Sequence, residues 1–380
     1  MTTTARVLIA ADKFKGSLTA VEVAERVTAG IHRVRPEAQV ESLPVADGGD
    51  GTVAAAVAAG FERHETQVTG PTGAPVTAAF ALDAGSSTAI VEMAEASGLQ
   101  HLPPGAFAPL TATTYGTGEV IRAAVDAGAR TIVFGVGGSA TTDGGAGMLE
   151  ALGARFLDED GDPVPHGGGP LREMVSADLS GLDSRLEDVD VVLASDVDNP
   201  LTGPKGAPAV YGPQKGASEE DVAVLDTGLE HFAKILSEAV GERALEIAES
   251  PGAGAAGGIG YGALVGLNAR FRPGIEVLFE VLGFGPALER AEIVITGEGS
   301  LDEQTLHGKA PAGVAAAARE AGKPVYAVCG RLAIDRKALK GAGIERAYAL
   351  TDLESDPKRC IAEAGPLLEQ AAAQLAEDNL

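Results

Sequence analysis

Short apolar runs that break into loops rich in Asp, Lys and Gly recur along this chain, each followed by a segment with apolar residues spaced three to four apart. That rhythm predicts alternating β-strands and α-helices, and so a parallel sheet with helices on its faces. The first such run is Arg6-Val7-Leu8-Ile9-Ala10-Ala11, which breaks into Asp12-Lys13-Phe14-Lys15-Gly16-Ser17-Leu18-Thr19. Thr19 with Glu22 three residues later is a capping box, so a helix runs from there to about Arg33 with Val23, Val27 and Ile31 on one face. A second strand over 38–43 ends in Pro44-Val45-Ala46-Asp47-Gly48-Gly49-Asp50-Gly51-Thr52, and an Ala/Val-rich helix follows to Ala59.

From Gly70 the pattern changes. Residues 76–82 and 88–93 alternate as strands, with hairpin signals before them, and antiparallel pieces inside a βα sequence predict an inserted domain. The strand 131–134 runs into the glycine- and hydroxyl-rich loop 135–147, and the apolar run 189–193 ends in Asp196, Asp198 and Asn199. Lys205 and Lys215 follow in turn-rich sequence; a long amphipathic helix is predicted over 219–240, and a glycine patch over 251–262 precedes a helix over 263–269. The strand 291–295, the loop 296–305 and a helix opened by Lys309-Ala310-Pro311 resume the βα rhythm, and strands over 325–328 and 346–350 complete it. The expected architecture is α/β: a discontinuous Rossmann/flavodoxin-like doubly wound domain (1–68 and 290–380), a mixed α/β domain (69–289) inserted in it, and the active cleft between them.

Composition agrees with this picture. Ala, Val, Leu and Ile dominate the 45% hydrophobic content of the 380 residues, while aromatic residues make up only 4% and Trp is absent. Such a core suits helices on a parallel sheet better than a β-sandwich. A formal charge of −25 disfavours nucleic acid and anionic membranes as partners. It also disfavours phosphorylated substrates, so any phosphate site needs local correction by Lys, helix N-termini or a divalent cation. With two cysteines, Cys329 and Cys360, neither a disulfide framework nor a thiolate metal site is available, and the six scattered His argue against zinc. No run approaches the roughly 18 apolar residues of a membrane span, and a cytoplasmic location is expected.

The chemistry-bearing residues lie at strand ends, where open α/β sheets place ligands. Lys13 and Lys15 stand at a strand-to-helix turn suited to an anion, with solvated surface as the plain alternative. Asp47 and Asp50, separated by Gly48 and Gly49, allow a close backbone approach to a ligand or metal, unless Asp50 or Thr52 is simply an N-cap. The amides and hydroxyls of 135–147 suit a phosphate cradle. Carboxylate-Gly and Lys-Gly loops without a Cys or His nucleophile fit phosphoryl transfer, which relies on positioning, Mg²⁺, charge neutralisation and a carboxylate to accept the alcohol proton. Neither a P-loop nor the protein-kinase signatures occur.

Seven segments, in order, resemble the bacterial two-domain glycerate kinase family: residues 12–17, 44–52 (PVADGGDGT), 137–147 (GGSATTDGGAG), 195–200 (SDVDNP), 211–216 (YGPQKG), 252–258 (GAGAAGG) and 296–311 (TGEGSLDEQTLHGKAP). The resemblance covers nearly the whole chain. It implies ATP- and Mg²⁺-dependent phosphorylation of D-glycerate at the 2-hydroxyl, giving 2-phosphoglycerate, with 3-phosphoglycerate as the alternative product. Two positions depart from the family pattern: Lys13 where a small residue such as Ser is common, and Asp50 where Glu is frequent.

In that reading the general base is Asp196, with Asp198 as the alternative, and Lys15 completes the catalytic set. Ser17, Asp47, Gly48, Gly49, Asp50, Asn199 and Lys215 bind substrate. Gly137, Gly138, Ser139, Thr141, Gly254, Gly257, Glu298, Ser300 and Thr305 serve the nucleotide, and Asp47, Glu298 and Asp302 the metal. The expected partners are D-glycerate and ATP, in a monomer or small homo-oligomer. Two rivals are weaker. A dehydrogenase reading rests on Gly135, Gly137 and Ala140 after a strand, but Thr141-Thr142-Asp143 prolong that loop before the helix. A non-catalytic sugar-acid binder does not call for Asp47, Asp50, Asp196 and Asp198 together.

Overall fold

The structure is a computed structural model that describes residues 5–46, 48–306 and 309–380. The chain divides into two units, one formed by the described parts of Met1–Asp47, Ala54–Gly60 and Ile275–Leu380, the other by Gly48–Val53 and Phe61–Gly274. In chain order the strands among the described residues are β1 (Arg6–Ala11), β2 (Gln39–Ser42), β3 (Glu62–Thr69), β4 (Pro75–Asp83), β5 (Thr88–Glu92), β6 (Thr131–Gly135), β7 (Arg155–Leu157), β8 (Ser176–Asp178), β9 (Asp190–Ala194), β10 (Arg270–Arg272), β11 (Ile293–Leu301), β12 (Val325–Leu332) and β13 (Arg346–Ala349).

The first unit holds a five-stranded sheet in the order β13-β12-β11-β1-β2, and every pair is parallel. Counted within the unit alone, this is the flavodoxin-like order 2-1-3-4-5, which reverses between β1 and β11. Both faces of β1 are buried, as its unbroken apolar run demands. Val7, Ile9 and Ala11 join Val23, Val27 and Ile31 of the helix Ala20–Val34, and Leu368 and Ala372 of the helix Ala364–Asn379, in one core. Leu8 and Ala10 point the other way, where the helix Ala310–Glu320 packs on β1, β11 and β12. The capping box predicted at Thr19 is present: its side chain accepts from Glu22 N at 3.2 Å, and the Glu22 carboxylate accepts from Thr19 N at 2.8 Å.

The second unit holds a six-stranded mixed sheet, β10-β9-β6-β5-β4-β3, in which β10, β9, β6 and β5 run parallel while β4 and β3 are antiparallel additions. Residues 62–68 were expected with the first segment, yet β3 pairs with β4 along its whole length, from Glu62 opposite Leu82 to Thr69 opposite Pro75. Ile132 and Phe134 of β6 and Leu193 of β9 pack with Val120 and Ile121 of the helix Tyr115–Asp126, and with Leu229 and Phe232 of the helix Glu219–Val240. That last helix has the bounds its periodicity predicts.

The glycine patch 251–262 departs from expectation. A helical segment already runs over Ala255–Gly266, broken at Ala256, Gly257 and Gly258, whose φ values are 52°, 81° and 89°; Arg270–Arg272 then forms β10. Packing explains the glycines: Gly144 N donates to Gly257 O at 3.1 Å, and a Cβ on Gly257 would stand 2.0 Å from Thr141 O. Two glycine-rich stretches thus meet backbone to backbone. Among the described residues no helix is long and apolar enough to cross a membrane.

Candidate active site

In the first unit the predicted residues gather where the strand order reverses. β1 ends in a tight turn in which Phe14 N donates to Leu18 O (2.8 Å) and Ser17 N to Phe14 O (2.9 Å), while Phe14 itself is buried. Ser17 Oγ also donates to Phe14 O at 3.1 Å, so this half-buried hydroxyl helps close the turn. Lys15 is exposed in the same turn, and its backbone N would lie 3.3 Å from a Cβ placed on Gly299. The turn after β1 and the end of β11 are therefore side by side.

On β11, Glu298 is 8% exposed and accepts a short hydrogen bond from Thr305 Oγ1, which in turn accepts from Asp302 N at 3.0 Å. Lys309 Nζ stands 3.9 Å from the other Glu298 oxygen. Ser300 Oγ and Thr296 Oγ1 are buried and have no hydrogen-bond partner among the described residues. The structure thus joins Lys15, Glu298, Ser300, Asp302 and Thr305 at one sheet edge, with an unmatched hydroxyl among them. Asp47 lies outside the described residues.

In the second unit the segment Gly48–Val53 lies across the carboxyl ends of β6 and β9. A Cβ on Gly48 would stand 2.8 Å from Ala194 O, one on Gly135 2.6 Å from Gly48 O, and one on Gly137 2.6 Å from Gly49 Cα. Asp50 therefore comes to Gly138, whose Cβ would stand 3.5 Å from the Asp50 Cβ. Asp196, two residues past β9, accepts from Gly274 N at 2.9 Å and is exposed. Asp198 is exposed too, and the burial of nearby Tyr211, together with the Asp198 charge, raises the Tyr211 phenol above its ordinary value. Asn199 is spent locally: its Nδ2 donates to Lys205 O (2.8 Å), and its Oδ1 accepts from Tyr211 Oη (2.7 Å). It shapes the loop, and substrate binding is not its visible task.

The loop 135–147 is not an open cradle throughout. Ala140 N donates to Ser97 O at 2.9 Å and Gly144 N to Gly257 O, while Asp143, fully buried, accepts from Thr114 N (2.8 Å), Thr114 Oγ1 (2.9 Å), Gly145 N (3.2 Å) and Gly147 N (3.4 Å). Burial raises the Asp143 carboxyl and these donors pull it back. Gly137 and Gly138 remain at the accessible end of the loop, and Ser139, 5% exposed, is bridged to Gly98. Thr141 is fully buried, and its carbonyl accepts from Lys215 Nζ at 2.5 Å. Lys215 is itself 2% exposed; burial lowers its ammonium to about 7, with Asp143 pulling it up. Gly254 N donates to Asn199 O at 2.9 Å. Thr141, Gly254, Gly257 and Lys215 thus support the loops from beneath, where the sequence expectation had them contacting ligands.

The sequence reading passed over Glu92 at the end of β5. It is 2% exposed and accepts from Gly51 N (3.0 and 3.1 Å) and Val53 N (3.2 Å). Burial raises it to about 7. The signal was present: one acid inside the apolar stretch Ala89-Ile90-Val91-Glu92-Met93-Ala94, at a strand end. Among the described residues no group of three or more His, Cys, Asp or Glu is arranged to hold a metal ion. Hard carboxylate oxygens at the β11 edge nevertheless suit Mg²⁺, which usually takes one or two carboxylates and completes its shell with phosphates and water.

Comparison with known proteins gives the family. A model of the glycerate kinase family matches residues 7–379, so the chain belongs to that family and is an enzyme of the kinase class. It is similar to the glycerate kinase of Bacillus subtilis (strain 168), at 46% identity over 372 residues, spanning 98% of this chain and 97% of that protein. It is also similar to the glycerate 2-kinase of Escherichia coli (strain K12), at 44% identity over 347 residues, spanning 91% and 90% of the two chains. A crystal structure assigned as glycerate kinase 2 from Salmonella typhimurium LT2 superposes with a TM-score of 0.84 at 41% identity, covering 99% of this chain and 98% of that one. The α/β fold expected from the sequence is borne out by that likeness.

Proposed function

We propose that this enzyme transfers the γ-phosphoryl group of ATP to the 2-hydroxyl of D-glycerate, giving 2-phosphoglycerate and ADP in the cytoplasm. The observation that carries the reading is the placement of Asp196: an exposed carboxylate at the end of β9, with one oxygen fixed by Gly274 N at 2.9 Å. A general base must be held in place within hydrogen-bond reach of the proton it takes. As the glycerate oxygen forms its bond to phosphorus and the bond to the ADP oxygen breaks, the hydroxyl proton passes to Asp196. Asp198, exposed two residues on, is the alternative base.

Asp50 is assigned to the glycerate hydroxyls and Lys15 to an anionic oxygen of glycerate or of the moving group. Gly137 and Gly138 present backbone at the accessible end of their loop, with Ser139 assigned to the nucleotide from the buried side, and Ser300 supplies a hydroxyl that has no partner among the described residues, which fits a phosphate-bearing ligand. Glu298 and Asp302 are the carboxylates that would hold Mg²⁺ with the nucleotide phosphates. Bound there, the ion supplies positive charge to phosphate oxygens that a protein of formal charge −25 otherwise repels. The name glycerate 2-kinase of the Escherichia coli relative supports the 2-hydroxyl. Incubating the protein with D-glycerate, ATP and Mg²⁺ and identifying the product by ³¹P and ¹H NMR tests the reading. ADP and 2-phosphoglycerate are expected; no ADP would sink the kinase assignment to this substrate, and 3-phosphoglycerate would move the acceptor to the primary hydroxyl.

A further inference from the structure

Glu92 is a buried carboxylate to which none of the roles above falls. Taking it out of water costs several kcal/mol unless donors compensate. The donors here are Gly51 N, at 3.0 and 3.1 Å from its two oxygens, and Val53 N, at 3.2 Å. Both belong to the segment Gly48–Val53, whose other side presses on Ala194 and Gly135 at the ends of β9 and β6. Glu92 is itself paired in register with Gly135, where the glycine loop begins. The acidic segment is thus held between one carboxylate and the backbone of strand ends occupied by small residues, Ala194 and Gly135, with Asp50 next to the residue that Glu92 grips.

We propose that Glu92 is a positioning residue for phosphoryl transfer: it fixes the Gly48–Val53 backbone, and through it places Asp50 for the hydroxyls of the acceptor. The inference rests on the glycerate kinase reading given above. Its chemistry is one of geometry alone, since at 2% exposure Glu92 does not meet substrate. Its ionised form accepts all three hydrogen bonds; the protonated form has a donor facing an amide and holds the segment less well. Burial brings that change near neutrality, at about 7, with Glu95 and Asp50 also raising it and the Val53 and Gly51 amides lowering it.

The test is Glu92→Gln, with Glu92→Asp as the variant that keeps the charge. In the wild type the KM for D-glycerate should rise as pH falls from 8 to 6, whereas in Glu92→Gln it should be about tenfold higher at pH 8 and flat across that range. Glu92→Asp should restore a pH-dependent KM, and melting temperatures should stay close to the wild type in both. Asp50→Asn should raise the same KM, and the double variant Glu92→Gln/Asp50→Asn should show little further loss, because the two residues act as one unit. Hydrogen exchange at Gly51 and Val53 gives a readout independent of turnover: protection should fall in Glu92→Gln. Unchanged exchange, a wild-type KM and pH profile in Glu92→Gln, or fully additive losses would each overturn the proposal. A wild type that makes no ADP from D-glycerate would sink the substrate assignment alone, and the exchange measurement would still decide whether Glu92 holds the segment.

Discussion

Replacing Lys215 by Met should make this protein more stable at pH 7, and that advantage should be gone by pH 10. The ammonium is 2% exposed, and burial moves its pKa from 10.5 to about 7. At about 1.4 kcal/mol per pH unit, that difference sets about 5 kcal/mol against the charged form in the folded state. The sign follows from proton counting. Between pH 7 and 10.5 the unfolded chain keeps the proton on Lys215 that the folded chain releases, so this residue makes stability rise with pH across that window. Methionine has a similar length and no proton to lose, but it forfeits the Nζ bond to Thr141 O and leaves a buried carbonyl unpaired, at about 1–2 kcal/mol. The net expectation is a gain of about 2–3 kcal/mol at pH 7; at pH 10, where a pKa of 10.5 in the unfolded chain still leaves about 1 kcal/mol of the burial cost, it becomes a loss of about 0–1 kcal/mol. Urea unfolding of both proteins, followed by circular dichroism at pH 7, 8.5 and 10, reads this directly, since groups common to both cancel. A Lys215→Met protein destabilised by more than about 1 kcal/mol at pH 7, or a stability difference independent of pH, would refute the burial argument.

Three further outcomes follow from the same geometry. Asp196→Asn should fold normally and lose at least about two orders of magnitude in turnover, and loss confined to Asp198→Asn would move the base two residues along. Gly257→Ala should be destabilised by at least about 3 kcal/mol in thermal or urea unfolding, because the new Cβ would lie 2.0 Å from Thr141 O at a φ of +81°. A near-neutral result would mean the two glycine stretches do not pack as described. Asp143→Ala removes the acceptor of four hydrogen bonds in a fully buried position and should cost at least about 3 kcal/mol, most of it from unsatisfied amides. Unfolding within 1 kcal/mol of the wild type would count against it.

What the sequence determined by itself was the local order of the chain. Short unbroken apolar runs located β1, β6, β9 and the start of β11, the Thr19–Glu22 spacing located the capping box, and an apolar stripe of period 3.6 located the helix Glu219–Val240. These features depend on neighbours a few residues away. The placing of Asp196 and Lys15 just past strand ends was legible for the same reason, whereas Glu298, expected in a loop after a strand ending at Ile295, lies within β11 and pairs with Cys329. The partnering of β3 with β4 was not, since Glu62–Thr69 is mostly polar and its register is set across a turn by contacts with another strand. Tertiary structure alone decided which loop atoms face outward. Asp143, Lys215 and Gly257 carry the same residue types as a phosphate site, but long-range packing turns them inward, where Asp143 and Lys215 satisfy buried backbone groups and Gly257 leaves room for one. Glu92 shows the converse. One acid in an apolar stretch looks like an interruption, and only the fold of Gly48–Val53 over the sheet edge supplies the amides that make its burial tolerable.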